Sequence, residues 1–294
     1  MHPVLDDLIT LLHLERIEDN IFRGESRDIG SAQVFGGQVL GQALSAAQHT
    51  VDDRVAHSLH AYFLRRGDME APIVYEVDRA RDGGSFSNRR VVAIQHGRPI
   101  LNLAASFQHP EQGVEHQADM PDVPSPDECR DILDLESGLA QKMPEKMRRH
   151  MADRRAFEIR PVIDNLLAHV PQKNIWLRAV DQLPDRLALH QNLLAYASDY
   201  ELLGASTIPH DLPFEKGAVI MASLDHALWF HREVRIDEWL LYSIDSPNAA
   251  GARGLARGQF FNTGGELIAS TAQEGLVRVI DEPRRKRSDP KLQH

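Results

Sequence analysis

Pro72-Ile73-Val74-Tyr75-Glu76-Val77 returns 167 residues later as Trp239-Leu240-Leu241-Tyr242-Ser243-Ile244. Each run is short and rich in β-branched and aromatic residues, the composition of a strand half buried in a sheet. At the same spacing Arg90 falls on Arg257, Gly97 on Gly264, and Ile100-Leu101 on Leu267-Ile268. A period of that length is too long for a solenoid and predicts one domain used twice.

Outward from these runs, the two halves read alike. Ser58–Arg65, Pro72–Val77, Ser87–Gln95 and Pro99–Gln108 predict an antiparallel meander, with Asp82-Gly83-Gly84 and His96-Gly97 at turns. The second half offers strand-like segments at 174–180, 218–231, 238–245, 253–262 and 266–279. A helix precedes each meander, at Gln38–Gln48 and at 189–199. The first is crowded with Gly41, Ala43, Ser45, Ala46 and Ala47, which lets it press against a sheet. That packing offsets the roughly 1 kcal/mol that Gly41 costs relative to alanine. Leu5, Leu8, Leu11 and Leu12 place another amphipathic helix over 5–14, and 21–29 reads as a strand. Between the halves Pro110, Pro121, Pro124 and Pro126 break the chain, and Asp127–Arg155 reads as a charged helix capped at Asp127 and interrupted at Pro144. The expected division is a first unit over 1–110, a helical connector over 111–160, a second unit over 161–281 and a basic tail over 282–294, carrying Arg284-Arg285-Lys286-Arg287.

The chain has 294 residues, with 33 Lys+Arg against 43 Asp+Glu and a net charge of −10. A chain this acidic lacks the basic field that phosphate neutralisation requires, which excludes a nucleic-acid partner. No apolar run approaches the 18–20 or so residues of a membrane helix, so no stable membrane association is expected. Met1-His2-Pro3-Val4-Leu5-Asp6-Asp7 has neither the cationic start nor the apolar block of a secretory signal. Cys129 is the single cysteine and cannot form an internal disulfide.

Elimination narrows the chemistry. No Gly-x-Ser-x-Gly elbow is present, and Cys129 has no nearby histidine to serve as its base. No His-x-x-x-His or His-Glu-x-x-His spacing occurs, and Gly83-Gly84 lacks the dinucleotide pattern, so neither metal nor organic cofactor is expected. Asp199 closes the 189–199 helix, and Ser223 and Gln273 lie on strands. Taken singly, each reads as a cap or a polar strand-face residue.

Longer motifs change that reading. Phe35-Gly36-Gly37-Gln38-Val39-Leu40-Gly41-Gln42-Ala43 and His57-Ser58-Leu59-His60-Ala61-Tyr62-Phe63-Leu64 closely resemble segments of the acyl-CoA thioesterase II family. So do Tyr196-Ala197-Ser198-Asp199, Asp225-His226-Ala227-Leu228-Trp229-Phe230-His231-Arg232 and Ser270-Thr271-Ala272-Gln273-Glu274-Gly275, all in the right order. The resemblance spans Leu5 to Arg278 and fades over 111–155. It implies an α+β double hotdog, two tandem units each with an antiparallel sheet wrapped around a central helix. It implies hydrolysis of fatty acyl-CoA to free acid and CoA, without metal or cofactor. It assigns Asp199, Ser223 and Gln273 to orienting the attacking water, with serine where threonine is commoner. Gly36 and Gly37, permitting close backbone approach, His57 near the site entrance, and Arg253 toward the CoA phosphates follow as substrate-binding candidates. Arg65-Arg66, Arg89-Arg90 and Arg257 are further cations for those phosphates, though each reads first as a surface strand residue.

The repeat sets Ser45, Ala56 and Ser106 opposite the trio, by a shift of 154 between the helices and 167 between the strands. The first half therefore lacks the trio and is expected to supply acyl-pocket walls. A homo-oligomer, dimer or larger, is implied, because hotdog sheets pair with another copy. The end Lys291-Leu292-Gln293-His294 lacks a Ser-Lys-Leu address, which favours the cytoplasm. Two alternatives stay open: a hotdog-fold enoyl-CoA hydratase, which would need a histidine that Asp199-Tyr200-Glu201 does not offer locally, and a catalytically silent acyl-CoA-binding protein.

Overall fold

A computed structural model describes residues 1–27, 34–134, 155–163, 170–210, 212 and 219–280. Helix α1 (Pro3–Leu12) buries Leu5, Leu8, Leu11 and Leu12, the stripe read from the sequence. Strands β1 (Glu15–Glu18) and β2 (Ile21–Gly24) follow, then α2 (Gly36–Gln48) and the meander β3 (Val55–Phe63), β4 (Ile73–Asp82), β5 (Phe86–Gln95) and β6 (Arg98–Gln108). The second half holds β7 (Phe157–Pro161), β8 (Gln172–Ala179), α3 (Leu187–Ala197), β9 (Val219–Ser223), β10 (Asp225–Phe230), β11 (Leu240–Ala250), β12 (Arg253–Asn262) and β13 (Leu267–Val279). One sheet joins them in the order β1-β2-β4-β5-β6-β3-β10-β13-β12-β11-β8-β7, with β9 also paired to β13. The halves meet where β3 pairs with β10, Leu59 opposite Leu228 and His60 opposite Ala227.

The repeat extends to irregularities of the ladder. The β4–β5 register shifts between Asp78 and Arg81, and the β11–β12 register shifts between Asp245 and Asn248, 167 residues on. Beyond the next turn the offset becomes 168. The β5–β6 turn at His96-Gly97 is one residue shorter than its partner after Asn262, and Gly97 (φ 69°) corresponds to Gly265 (φ 84°), not Gly264. Ala93 pairs with Leu101, and Phe260 with Ala269. Two further positions of the alignment are thereby corrected. Ile100 corresponds to Ile268, and the first-half position opposite Gln273 is Ala105, not Ser106.

Helix α2 is buried on every side, from Gly37 to Ala47. Its interior polar groups are paired, as a dry environment demands. Gln42 donates to the carbonyls of Leu11 (2.6 Å) and Glu25 (3.0 Å) and accepts the Tyr75 hydroxyl at 2.6 Å. The small residues of α2 do not serve only the sheet. A Cβ on Gly41 would meet the Asn192 carbonyl, and one on Gly37 would run into that of Tyr196, so α2 presses its glycines against α3. The contacts run in opposite order along the two helices, which therefore cross antiparallel.

The connector departs from expectation. Ser125 caps only a 3₁₀ turn, Pro126–Glu128, and no α-helix forms from Asp127 to Asp134. Carbonyls there are committed elsewhere, that of Pro124 to the Trp176 indole (2.9 Å) and that of Pro126 to Arg160 (2.6 Å). The rest of that expected helix, over 135–154, and the basic tail lie outside the described residues. No helix among the described residues is long and apolar enough to cross a membrane.

Candidate active site

Asp199 does not close α3 but follows it, two residues beyond Ala197 with Ser198 as the cap. The cap is held from two sides. Tyr242 donates its hydroxyl to the Ser198 carbonyl (2.8 Å), and Ser198 Oγ donates to the Ala195 carbonyl (2.9 Å) while accepting from His226 Nε2 (2.9 Å). Burial pushes the His226 pKa down to about 3, so the ring is neutral. Ser223 ends β9 at a break: Leu224 turns its N–H to the Glu274 carbonyl (2.9 Å) before β10 begins. Gln273 stands on β13 and is 1% exposed, not the surface residue its strand position suggests.

These three side chains converge. Gln273 Nε2 donates to Asp199 Oδ1 at 2.7 Å and to Ser223 Oγ at 2.9 Å. The Gly37 N–H, in the first turn of α2, donates to Asp199 Oδ2 at 3.0 Å. A carboxylate at a helix N-terminus meets unsatisfied N–H groups and a favourable dipole. Burial raises the Asp199 pKa above the ordinary carboxylate value, while Gln273, Gly37 and Ser223 pull it back. Desolvation thus favours the protonated carboxyl, and three hydrogen bonds favour the ionised one.

Two cavities open beside the trio. One of about 210 Å³ is lined by Asp199, Ser223, Gln273 and apolar Phe35, Leu203 and Met221. The other, about 230 Å³, shares Val34, Gly36, Ala222 and Ser223 with the first and continues past Phe63 and Ile100 to Arg65 and Arg66. Most of its lining comes from the first half of the chain.

Of the sequence candidates, Asp199, Ser223, Gln273, Gly36 and Gly37 are brought together. His57 and Arg253 line neither cavity: His57 pairs with Ser106 (2.8 Å), and Arg253 with Glu274 (2.9 Å). Cys129 packs against a separate apolar cluster around Trp176. Among the described residues no group of three His, Cys, Asp or Glu is placed to hold a metal ion. Sequence reasoning did not find the Gly37 N–H as a partner of Asp199; its only signal was the Gly-Gly pair opening a helix.

Comparison with known proteins shows the family. A model of the acyl-CoA thioesterase N-terminal domain matches residues 23–108, and an acyl-CoA thioesterase model matches 147–276. Acyl-CoA thioesterase 2 of Haemophilus influenzae is 44% identical over 96% of this chain and 100% of its own. Human acyl-coenzyme A thioesterase 8 is 39% identical over 92% of this chain and 88% of its own. An acyl-CoA thioesterase II crystal structure from Mycobacterium marinum superposes with a TM-score of 0.79 at 43% identity, covering 93% of this chain and 99% of that one. A hot dog fold protein from Alicyclobacillus acidocaldarius, at 18% identity, shares the fold with a TM-score of 0.76 over 93% of this chain and 98% of its own.

Proposed function

The chain belongs to the acyl-CoA thioesterase family and is a hydrolase of acyl-CoA thioesters; from that premise we propose that Asp199, Ser223 and Gln273 activate the attacking water on fatty acyl-CoA. The observation that carries this reading is the forked hydrogen bond of the Gln273 amide to Asp199 and Ser223 at a cavity wall. With both N–H groups of that amide spent, Gln273 fixes the other two side chains. Asp199 accepts a proton from water held at the Ser223 hydroxyl, and the water oxygen bonds to the thioester carbonyl carbon. The tetrahedral intermediate collapses, the C–S bond breaks, and the proton on Asp199 returns to the CoA thiolate.

The oxyanion needs a backbone donor, worth about 2.7–4 kcal/mol where such donors have been removed. Gly37 is excluded from that role because its N–H already serves Asp199. Gly36, which lines both cavities, is the assigned donor. The first unit, 1–110, then supplies substrate walls and the second, 161–281, the water. Arg65 and Arg66 bring positive charge to the mouth of the larger cavity, where CoA phosphates require it in a chain of net −10. The outer sheet face, with Tyr62 exposed and His60 edge-on to Trp229 at 5.2 Å, is the surface assigned to a homo-oligomer, and the cytoplasm is the assigned compartment.

A panel of acyl-CoA substrates from short to long chain, read by free-thiol release, tests this function. Equimolar thiol and free acid are expected. Loss of enoyl absorbance without thiol would indicate a hydratase, and acyl-CoA retained unchanged through gel filtration would indicate a silent binder.

A further inference from the structure

The antiparallel crossing of α2 and α3 has two ends, and Asp199 occupies only one. At the other end, where Gln48 Nε2 meets Gln191 Oε1 at 3.1 Å, a cavity of about 270 Å³ opens between the last turn of α2, the first turn of α3 and α1. Its polar lining reverses the sign of the catalytic end. Arg186, His13 and His49 face it, and no acidic residue lines it. Arg186 has no ion pair among the described residues.

The backbone repeats the geometry that holds Asp199. Gln38 and Val39 turn their N–H groups back to the Phe35 carbonyl, leaving the Gly37 N–H for the Asp199 carboxylate. Leu189 and His190 likewise turn theirs to the Arg186 carbonyl, leaving that of Ala188, which has no acceptor among the described residues. A second polar group is unmatched in the same cavity. Asn192 lines it, is 7% exposed, and its amide Nδ2 makes no hydrogen bond among the described residues. That NH2 group can donate to a carboxylate. Leaving such a group unpaired in a buried position is costly, and a polar ligand head recovers that cost. Leu12 and Leu189 give the same cavity an apolar wall.

We propose that this cavity is a second ligand site, taking a monocarboxylate with an apolar tail, its head between Arg186, the Ala188 N–H and Asn192, and its tail along Leu12 and Leu189. Recognition needs an anion where the catalytic end supplies one of its own, so the site binds without hydrolysing. It does not rest on the roles given to Asp199, Ser223 and Gln273.

Equilibrium dialysis of labelled octanoate against the full chain tests it. Two octanoates per chain are expected, one at each end of the helix pair. Arg186→Glu should leave one, with thiol release from octanoyl-CoA unchanged within twofold. Ala188→Pro, which removes the N–H at the second helical position without breaking an intrahelical bond, should also leave one and guards against misfolding of the charge reversal. Equal numbers of octanoates bound by the unmodified protein and by both variants would overturn the proposal, whatever the catalytic end retains.

Discussion

In the second half Asp199 follows α3, Ser223 ends β9 and Gln273 sits on β13; in the first half the sheet register puts Ala56 and Ala105 at the two strand positions, and the equivalent helix caps Phe35 and Arg186 put Gln48, not Ser45, at the place of Asp199. The backbones match down to their bulges, so the difference lies in three side chains. Ala105 is fully buried and Gln273 is 1% exposed, so both positions face a dry interior. A lone glutamine there would strand its amide at about 1–3 kcal/mol. It is tolerated only where Asp199 and Ser223 receive its N–H groups, which makes the trio an all-or-none set. A half that lacks one member gains nothing by keeping the others.

That comparison can be broken by removing members on one side and their counterparts on the other. Gln273→Ala should lower kcat on octanoyl-CoA about 100-fold, the scale on which oriented donors act, and lower Tm by several degrees, because it strands the groups Gln273 serves. Ser223→Ala should cost roughly tenfold, as loss of a hydrogen bond to a charged group implies, whereas Ser223→Thr should keep most activity. Its pH profile is a sharper readout. The proposed role of Asp199 requires its ionised form, so activity should fall as pH drops through a pKa that burial has raised. Removing the Ser223 hydroxyl takes away support for the carboxylate, so the inflection should move to higher pH, and a downward move would contradict the geometry. Arg66→Ala should raise KM about threefold with kcat unchanged, the scale of an exposed ion pair. On the first-half side, Ser45→Ala should leave thiol release within about twofold, as expected of a substitution outside the set.

The sequence carried much of this architecture, for identifiable reasons. Tyr75 and Tyr242 mark equivalent buried strand positions, and large apolar residues leave a period that survives divergence. A single extra turn residue after Asn262 was not legible, so Gln273 was aligned to Ser106 and not Ala105. Asp199 was visible as a residue, but its holder was not. The Gly37 N–H is a backbone group, indifferent to side-chain pattern, and only the crossing of α2 against α3 brings it there. The Asp127 helix failed because distant partners, Trp176 and Arg160, claim the carbonyls around it.

The central claim is that Asp199 is the base that activates water. It is tested most directly by single-turnover hydrolysis of octanoyl-CoA by Asp199→Asn, read by thiol release beside Ser45→Ala. A loss on the order of 10³-fold is expected for Asp199→Asn, within the range that general bases supply, and near-normal turnover for Ser45→Ala. Turnover by Asp199→Asn within threefold of the unmodified protein would contradict it.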